Sequence, residues 1–216
     1  MPDGCDMKNL PTLALLLSAV AVSAEPANSP AVLKYDRLAV SYADGSGTSG
    51  TRSFGVTGAA LLGDRFIVGG SVSTYKLKDL DAAGPLVTFD LGYKFTLEQG
   101  DLIVTTRYGQ AQVSRGFGAN SANSADLQAD EISTGLTWRQ EINQSFEYSL
   151  GYSYVITNVI FNAPIGGART RFTREIFDSV GSLGFRYNVN ANVDISLGFS
   201  FGSGKQTWSL STGYNF

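Results

Sequence analysis

Val193-Asp194-Ile195-Ser196-Leu197-Gly198-Phe199-Ser200-Phe201 alternates without a break: every odd position is apolar and every even one is small or acidic. A period of two is the mark of a β-strand with one apolar face. Ser145 to Val155 repeats the pattern, with Phe146, Tyr148, Leu150, Tyr152 and Tyr154 set against Glu147, Ser149, Gly151 and Ser153. Val87, Phe89, Leu91, Tyr93 and Phe95 alternate with Thr88, Asp90, Gly92 and Lys94 in the same way. Helical spacing is sustained nowhere from residue 33 onward.

Working outward from these segments, alternation between Gly, Asn and Asp clusters predicts strands at 33–42, 52–62, 66–76, 86–95, 101–112, 127–139, 145–156, 177–187, 193–201 and 206–216. Ten is the favoured count and eight the alternative. Each segment is near the 9–11 residues that a tilted strand needs to cross a bilayer. Short turns fall at 63–65, 96–100, 140–144 and 188–192. Longer connections are expected at 43–51, 77–85, 113–126 and 157–176, with a short last one at 202–205. Long and short connections alternate, as they do in transmembrane barrels.

The N-terminus reads differently. Leu10 to Ala24 is an apolar stretch behind Lys8 that closes on Val22-Ser23-Ala24, the small-x-small pattern of a signal-peptidase site. Residues 1–24 are therefore expected to be a cleaved signal peptide, with Met7 an alternative start, and residues 25–216 the barrel domain. Cys5, the single cysteine, would leave with it, so no disulfide or thiol chemistry is expected. No later apolar run is long enough for a spanning helix, which excludes a helical membrane protein.

Alternation alone does not say whether the apolar face meets a soluble core or lipid. Charged residues make up only 16% of the chain, whereas aromatics reach 12%. The other face is dominated by Gly and Ser, as in Ser209-Ser211-Gly213, instead of the Lys and Glu of a water-facing surface. Aromatics gather at both strand ends: Phe95, Trp138, Phe146, Tyr187 and Phe216 near the short turns, and Tyr42, Tyr108, Tyr154, Phe177, Phe201 and Trp208 near the loops. Two such girdles mark two bilayer interfaces. The reading is an all-β, transmembrane, antiparallel up-and-down barrel.

The last strand carries Trp208, Leu210, Tyr214 and Phe216 on one face. A terminal aromatic on an alternating strand resembles the signal read by the outer-membrane insertion machinery of bacteria. By architecture the chain is similar to small outer-membrane barrels of the OmpA/OmpX-like and opacity types, although ten strands departs from their eight. The resemblance implies an outer-membrane location, outer-membrane lipid and lipopolysaccharide as surroundings, the barrel-assembly machinery as a partner during insertion, and a monomer.

Several outer-membrane barrels are enzymes, and those families place a His in the active site. This sequence has no His. The usual general base near neutral pH is therefore missing, and no catalysis is expected. No metal-ligand spacing or phosphate-binding glycine loop occurs, so no cofactor or metal is expected either. A formal charge of −3 without a basic excess excludes nucleic acid as a natural partner.

By parity the inward face carries Arg37, Asp90, Lys94, Arg107, Glu131, Arg139, Glu147, Arg186 and Asp194. Five bases against four acids suit a self-neutralising lumen, because an unpaired buried charge costs several kcal/mol. The same groups would suit the lining of a narrow pore. The 157–176 connection holds Arg169, Arg171 and Arg174, candidates for lipopolysaccharide phosphates against the plainer reading of a solvated loop. Two function classes follow, an envelope barrel acting through its outer surface or a narrow channel for ions or small solutes, with an outer-membrane enzyme a distant third because His is absent.

Overall fold

A computed structural model describes residues 35–46, 51–77, 82–116, 124–143, 145–165, 168–202 and 205–216. The expected signal peptide lies outside them. Ten strands follow in chain order: β1 (Arg37–Ser46), β2 (Thr51–Leu62), β3 (Phe66–Leu77), β4 (Ala82–Leu97), β5 (Gly100–Gly116), β6 (Ser124–Asn143), β7 (Phe146–Ile165), β8 (Ala168–Asn188), β9 (Val193–Gly202) and β10 (Lys205–Asn215). Each pairs antiparallel with its neighbour in sequence, and β1 pairs with β10 from Arg37↔Asn215 to Ser46↔Gln206. The barrel is closed. Closure removes the open edges that lipid would leave without hydrogen bonds.

Pairing register fixes which side chains share a cross-strand row, and because the strands tilt each row climbs around the barrel. Tyr108, Ile132, Ile156 and Phe177 lie in one row across β5–β8 and point outward. The next outward row is Gln110, Asp130, Asn158 and Glu175. The exterior thus turns from apolar to polar within one step. Asp130 there accepts hydrogen bonds from Gln110 Nε2 at 3.0 Å and the Tyr108 hydroxyl at 3.4 Å, so the tyrosine bridges the two zones. Around the barrel Leu136, Leu150, Tyr152, Leu197, Phe199, Leu210 and Val72 are all exposed on the outer surface. So broad an apolar belt is a lipid-facing surface.

Aromatic pairs edge the belt. Phe66, Tyr93 and Phe95 pack in series near the 63–65 turn, with ring centroids 5.2 and 4.8 Å apart, and Tyr214 meets Phe216 at 5.3 Å. At the other rim Tyr42 packs on Trp208 at 5.5 Å and Tyr154 stacks on Phe177 at 6.5 Å.

The strands overrun the predicted lengths on the loop side. The region 157–176, expected to be a loop, continues the hairpin: β7 and β8 pair as far as Ile165↔Ala168. Val159-Ile160-Phe161 breaks the alternation, which hid the strand in the sequence. Beyond the membrane an outer face can be polar or apolar, so alternation lapses while backbone pairing goes on. Asn158–Ile165 and Ala168–Glu175 stand beyond the boundary row. At about 3.3 Å per residue and a tilt near 40°, they project roughly 20 Å. β9 pairs with β8 only from Gly181 to Asn188, so one wall of the barrel is tall and the other short.

Candidate functional site: the lumen

Inward-facing residues of every strand are buried, among them Ala39, Ser53, Ser73, Asp90, Arg107, Glu131, Ser149, Arg186, Ser200 and Ser209. All nine charges that parity placed inward lie there too. Parity also gives Asp101, three steps of alternation from Arg107, and Asp178, which shares a face with Arg186; both are buried. Tyr35 stands just ahead of β1 but inside the predicted strand 33–42, on the face of Arg37, and it too is buried.

These side chains form a continuous network at the short-turn end. Arg37 grips Asp194 with two hydrogen bonds, Nη2 to Oδ1 at 2.5 Å and Nε to Oδ2 at 3.1 Å. Asn215 and Ser196 donate to the same carboxylate at 3.2 Å each, so the buried acid is well satisfied. Arg186 lies between Asp194 at 3.7 Å and Glu147 at 3.8 Å. Glu147 Oε1 then accepts from Arg139 Nε at 2.5 Å. The glycines make room for this: a Cβ on Gly213 of β10 would fall on the Arg37 guanidinium, which must cross β10 to reach β9.

Tyr35 completes the floor. Its hydroxyl donates to Asp101 Oδ2 at 2.8 Å, reaching from the β1 side to β5 on the far wall. Lys94 Nζ stands 4.8 Å from the ring centroid and the Arg139 guanidinium carbon 6.0 Å, both within cation–π reach. Ile67 and Ile103 pack on the ring. Burial holds the Tyr35 phenol well above its ordinary range, more strongly than Arg139 pulls it down, and the bond to Asp101 adds to the rise. The hydroxyl therefore stays protonated and stays the donor.

Higher in the lumen Arg107 Nε pairs with Asp90. Glu131 is fully enclosed, and neither of its carboxylate oxygens makes a hydrogen bond within the described residues. Above it the lumen becomes apolar. Tyr75, Leu77, Leu86, Ala111, Val113, Ala129 and Val159 form one buried cluster at the loop-side mouth. The expectation of an inward face made of Gly, Ser and charge is corrected there: Leu86 lies on the face of Asp90 and Tyr75 on that of Ser73, so the inward face turns apolar toward the loop side.

The three candidate phosphate-binding arginines are also relocated. Arg169, Arg171 and Arg174 lie on β8, opposite Pro164, Asn162 and Val159 of β7, and not in a loop. Arg171 and Arg174 are exposed but three positions apart on a strand, so they point to opposite faces and do not converge on one ligand. Trp208, Leu210 and Tyr214 line the outer face of β10, and Phe216 follows them, all exposed.

A closed up-and-down barrel with an apolar belt, two aromatic girdles and a charged interior is the architecture of a bacterial outer-membrane protein. No protein-family model and no curated protein sequence matches the chain. Solved structures do. The translocator domain of the autotransporter NalP from Neisseria meningitidis is 12% identical, with 96% of each chain covered and a TM-score of 0.55. The outer-membrane protease OmpT from Escherichia coli is 9% identical over 84% of this chain and 97% of its own, with a TM-score of 0.51. Ail, the attachment invasion locus protein of Yersinia pestis, is 16% identical over 84% and 97%, with a TM-score of 0.43. Identities of this order speak for the fold alone.

Proposed function

We propose that the chain is an envelope barrel with a plugged lumen that acts through the surface it presents outside the membrane. The observation that carries this reading is the buried network running from Arg37 through Asp194, Arg186, Glu147 and Arg139 to Tyr35 and Asp101, which crosses the lumen at the short-turn end. An apolar cluster fills the other mouth. Barrels of eight strands leave an interior that side chains fill, and those of sixteen to eighteen leave an aqueous channel. Ten strands lie near the filled end.

What remains available for contact is the tall β5–β8 wall. It stands outside the lipid boundary and bears polar and charged groups, Arg171, Arg174 and Glu175 among them. In this reading the partners are outer-membrane lipid, lipopolysaccharide and, during insertion, the barrel-assembly machinery, and the chain works as a monomer. No catalytic step is part of it, since the sequence supplies no His.

Planar-bilayer recording tests the plug. The refolded protein should give no steady single-channel currents in molar salt. Regular conductance steps from the parent protein would overturn the plugged lumen and establish the narrow channel in its place.

A further inference from the structure

The bases at the level of lipid phosphates are not those of β8. On β2 and β3 the outward residues descend from Arg52 and Lys76, which face each other in register, through Phe54 and Thr74 to Val56 and Val72. From Leu62 beside the short turn to Arg52 is ten steps of about 3.3 Å, or roughly 25 Å along the membrane normal at a 40° tilt. That is the height of the apolar band of an outer-membrane barrel. Arg52 and Lys76 therefore stand at the outer interface, one step above Phe54 and beside the Tyr42–Trp208 pair.

We infer that Arg52 and Lys76 form a binding site for the phosphate of an anionic lipid headgroup in the outer leaflet. Both side chains are exposed. Directly opposed positions on neighbouring strands hold their Cβ atoms about 5 Å apart, so the two cations can bracket one phosphate in exchange for part of the contacts that each makes in its absence. Arg52 is already oriented: its Nε donates to Asp44 Oδ2 at 3.1 Å, and Asp44 is held in turn by the Tyr42 hydroxyl at 3.2 Å. With Nε engaged, the two Nη groups of the planar fork remain for bidentate contact with phosphate oxygens.

The opposite side of the barrel makes the site directional. There the first polar row is Gln110, Asp130, Asn158 and Glu175, with two acids and no base, whereas the row of Arg52 and Lys76 sets two bases against Asp44. A phosphorylated lipid is drawn to the first side and repelled from the second. Arg171 lies four positions further out than Glu175, about 10 Å above it at the same rise and tilt. The inference rests on the membrane-spanning reading of the barrel and is independent of whether the lumen conducts.

The test uses full-length protein refolded in neutral detergent, with bis-phosphorylated lipid A, the same lipid dephosphorylated, and inorganic phosphate as three probes, and binding read by native mass spectrometry and fluorescence titration. The parent should bind phosphorylated lipid A at least tenfold more tightly than the dephosphorylated lipid at low salt. The R52Q/K76Q variant should lose most of that difference, whereas R171Q/R174Q should keep it. Raising the salt should narrow the gap between parent and R52Q/K76Q. Heat-modifiable gel mobility checks that each variant is folded. Equal affinity of parent and R52Q/K76Q for phosphorylated lipid A, loss in R171Q/R174Q instead, or equally tight binding of inorganic phosphate would overturn the headgroup site.

Discussion

Replacing Glu147 by Gln strips the shared partner from two arginines while keeping the shape of the side chain. Glu147, Arg139 and Arg186 are all almost fully buried. Arg186 lies 3.8 Å from Glu147, and two unit charges at that distance attract by about 4 kcal/mol at an effective dielectric of 20. Arg139 is closer still and directly hydrogen-bonded. Part of this is recovered, because Asp194 also faces Arg186 and an amide oxygen still accepts from Arg139. Removing one member of a buried pair typically costs about 3–5 kcal/mol, most of it from the charge left behind. Glu147→Gln should therefore destabilise the barrel by about 3 kcal/mol. Urea unfolding in lipid vesicles followed by Trp fluorescence measures it, with Trp138 next to Arg139 as a local reporter. Adding Arg139→Gln should return at least 1 kcal/mol of the loss, because it removes the stranded charge. A single-variant cost below about 1 kcal/mol, or strict additivity of the two changes, would refute a network held by coupled buried charges.

Tyr35→Phe removes one buried hydrogen bond and should cost about 1–3 kcal/mol in the same assay. Tyr35→Ala should also admit ions at the short-turn end, seen as new conductance in bilayers; an unchanged silent record would separate the floor from the seal. Gly213→Ala places a methyl group on the Arg37 guanidinium and should cost about 1–3 kcal/mol through displacement of a packed group, measured as a shift in the urea midpoint. Leu136→Arg, on the outer face in the middle of the belt, should destabilise by about 2–4 kcal/mol, but Asp130→Arg, one row beyond the boundary, by no more than about 1 kcal/mol. Equal costs would move the lipid boundary away from the Tyr108 row.

Most of the barrel was legible because a bilayer imposes a strict period of two over a fixed height. Where lipid ends, the constraint ends, and the extensions of β5–β8 were lost with it. Val159-Ile160-Phe161 reads as a lapse in alternation, yet its backbone pairs without interruption. The inward charges were found because Arg, Asp and Glu on an otherwise apolar strand have only one face to occupy. The apolar cluster of Tyr75, Leu86 and Val113 is harder to read, since these residues stand at or just past the ends of the alternating segments, where an inward face of Ser and charge turns apolar. Tyr35 escaped for another reason: its importance lies in the far wall it touches, and nothing local announces a partner 66 positions away.

The seam between β1 and β10 sets the order of assembly. Every other strand pair is a hairpin, whereas Arg37 and Asp194 meet across 157 positions. Closing a loop of that length costs roughly 3–4 kcal/mol more entropy than closing a three-residue turn. The ring must therefore shut late, after a curved sheet of hairpins has brought its two margins together. Arg37 reaches over β10 to Asp194 on β9, so the latch spans three strands rather than two. Peeling β1 away pulls a buried guanidinium off its carboxylate before lipid or water can replace it. The seam that is slowest to form is thereby also slow to open, which gives the barrel a long residence time in the membrane whatever its equilibrium stability.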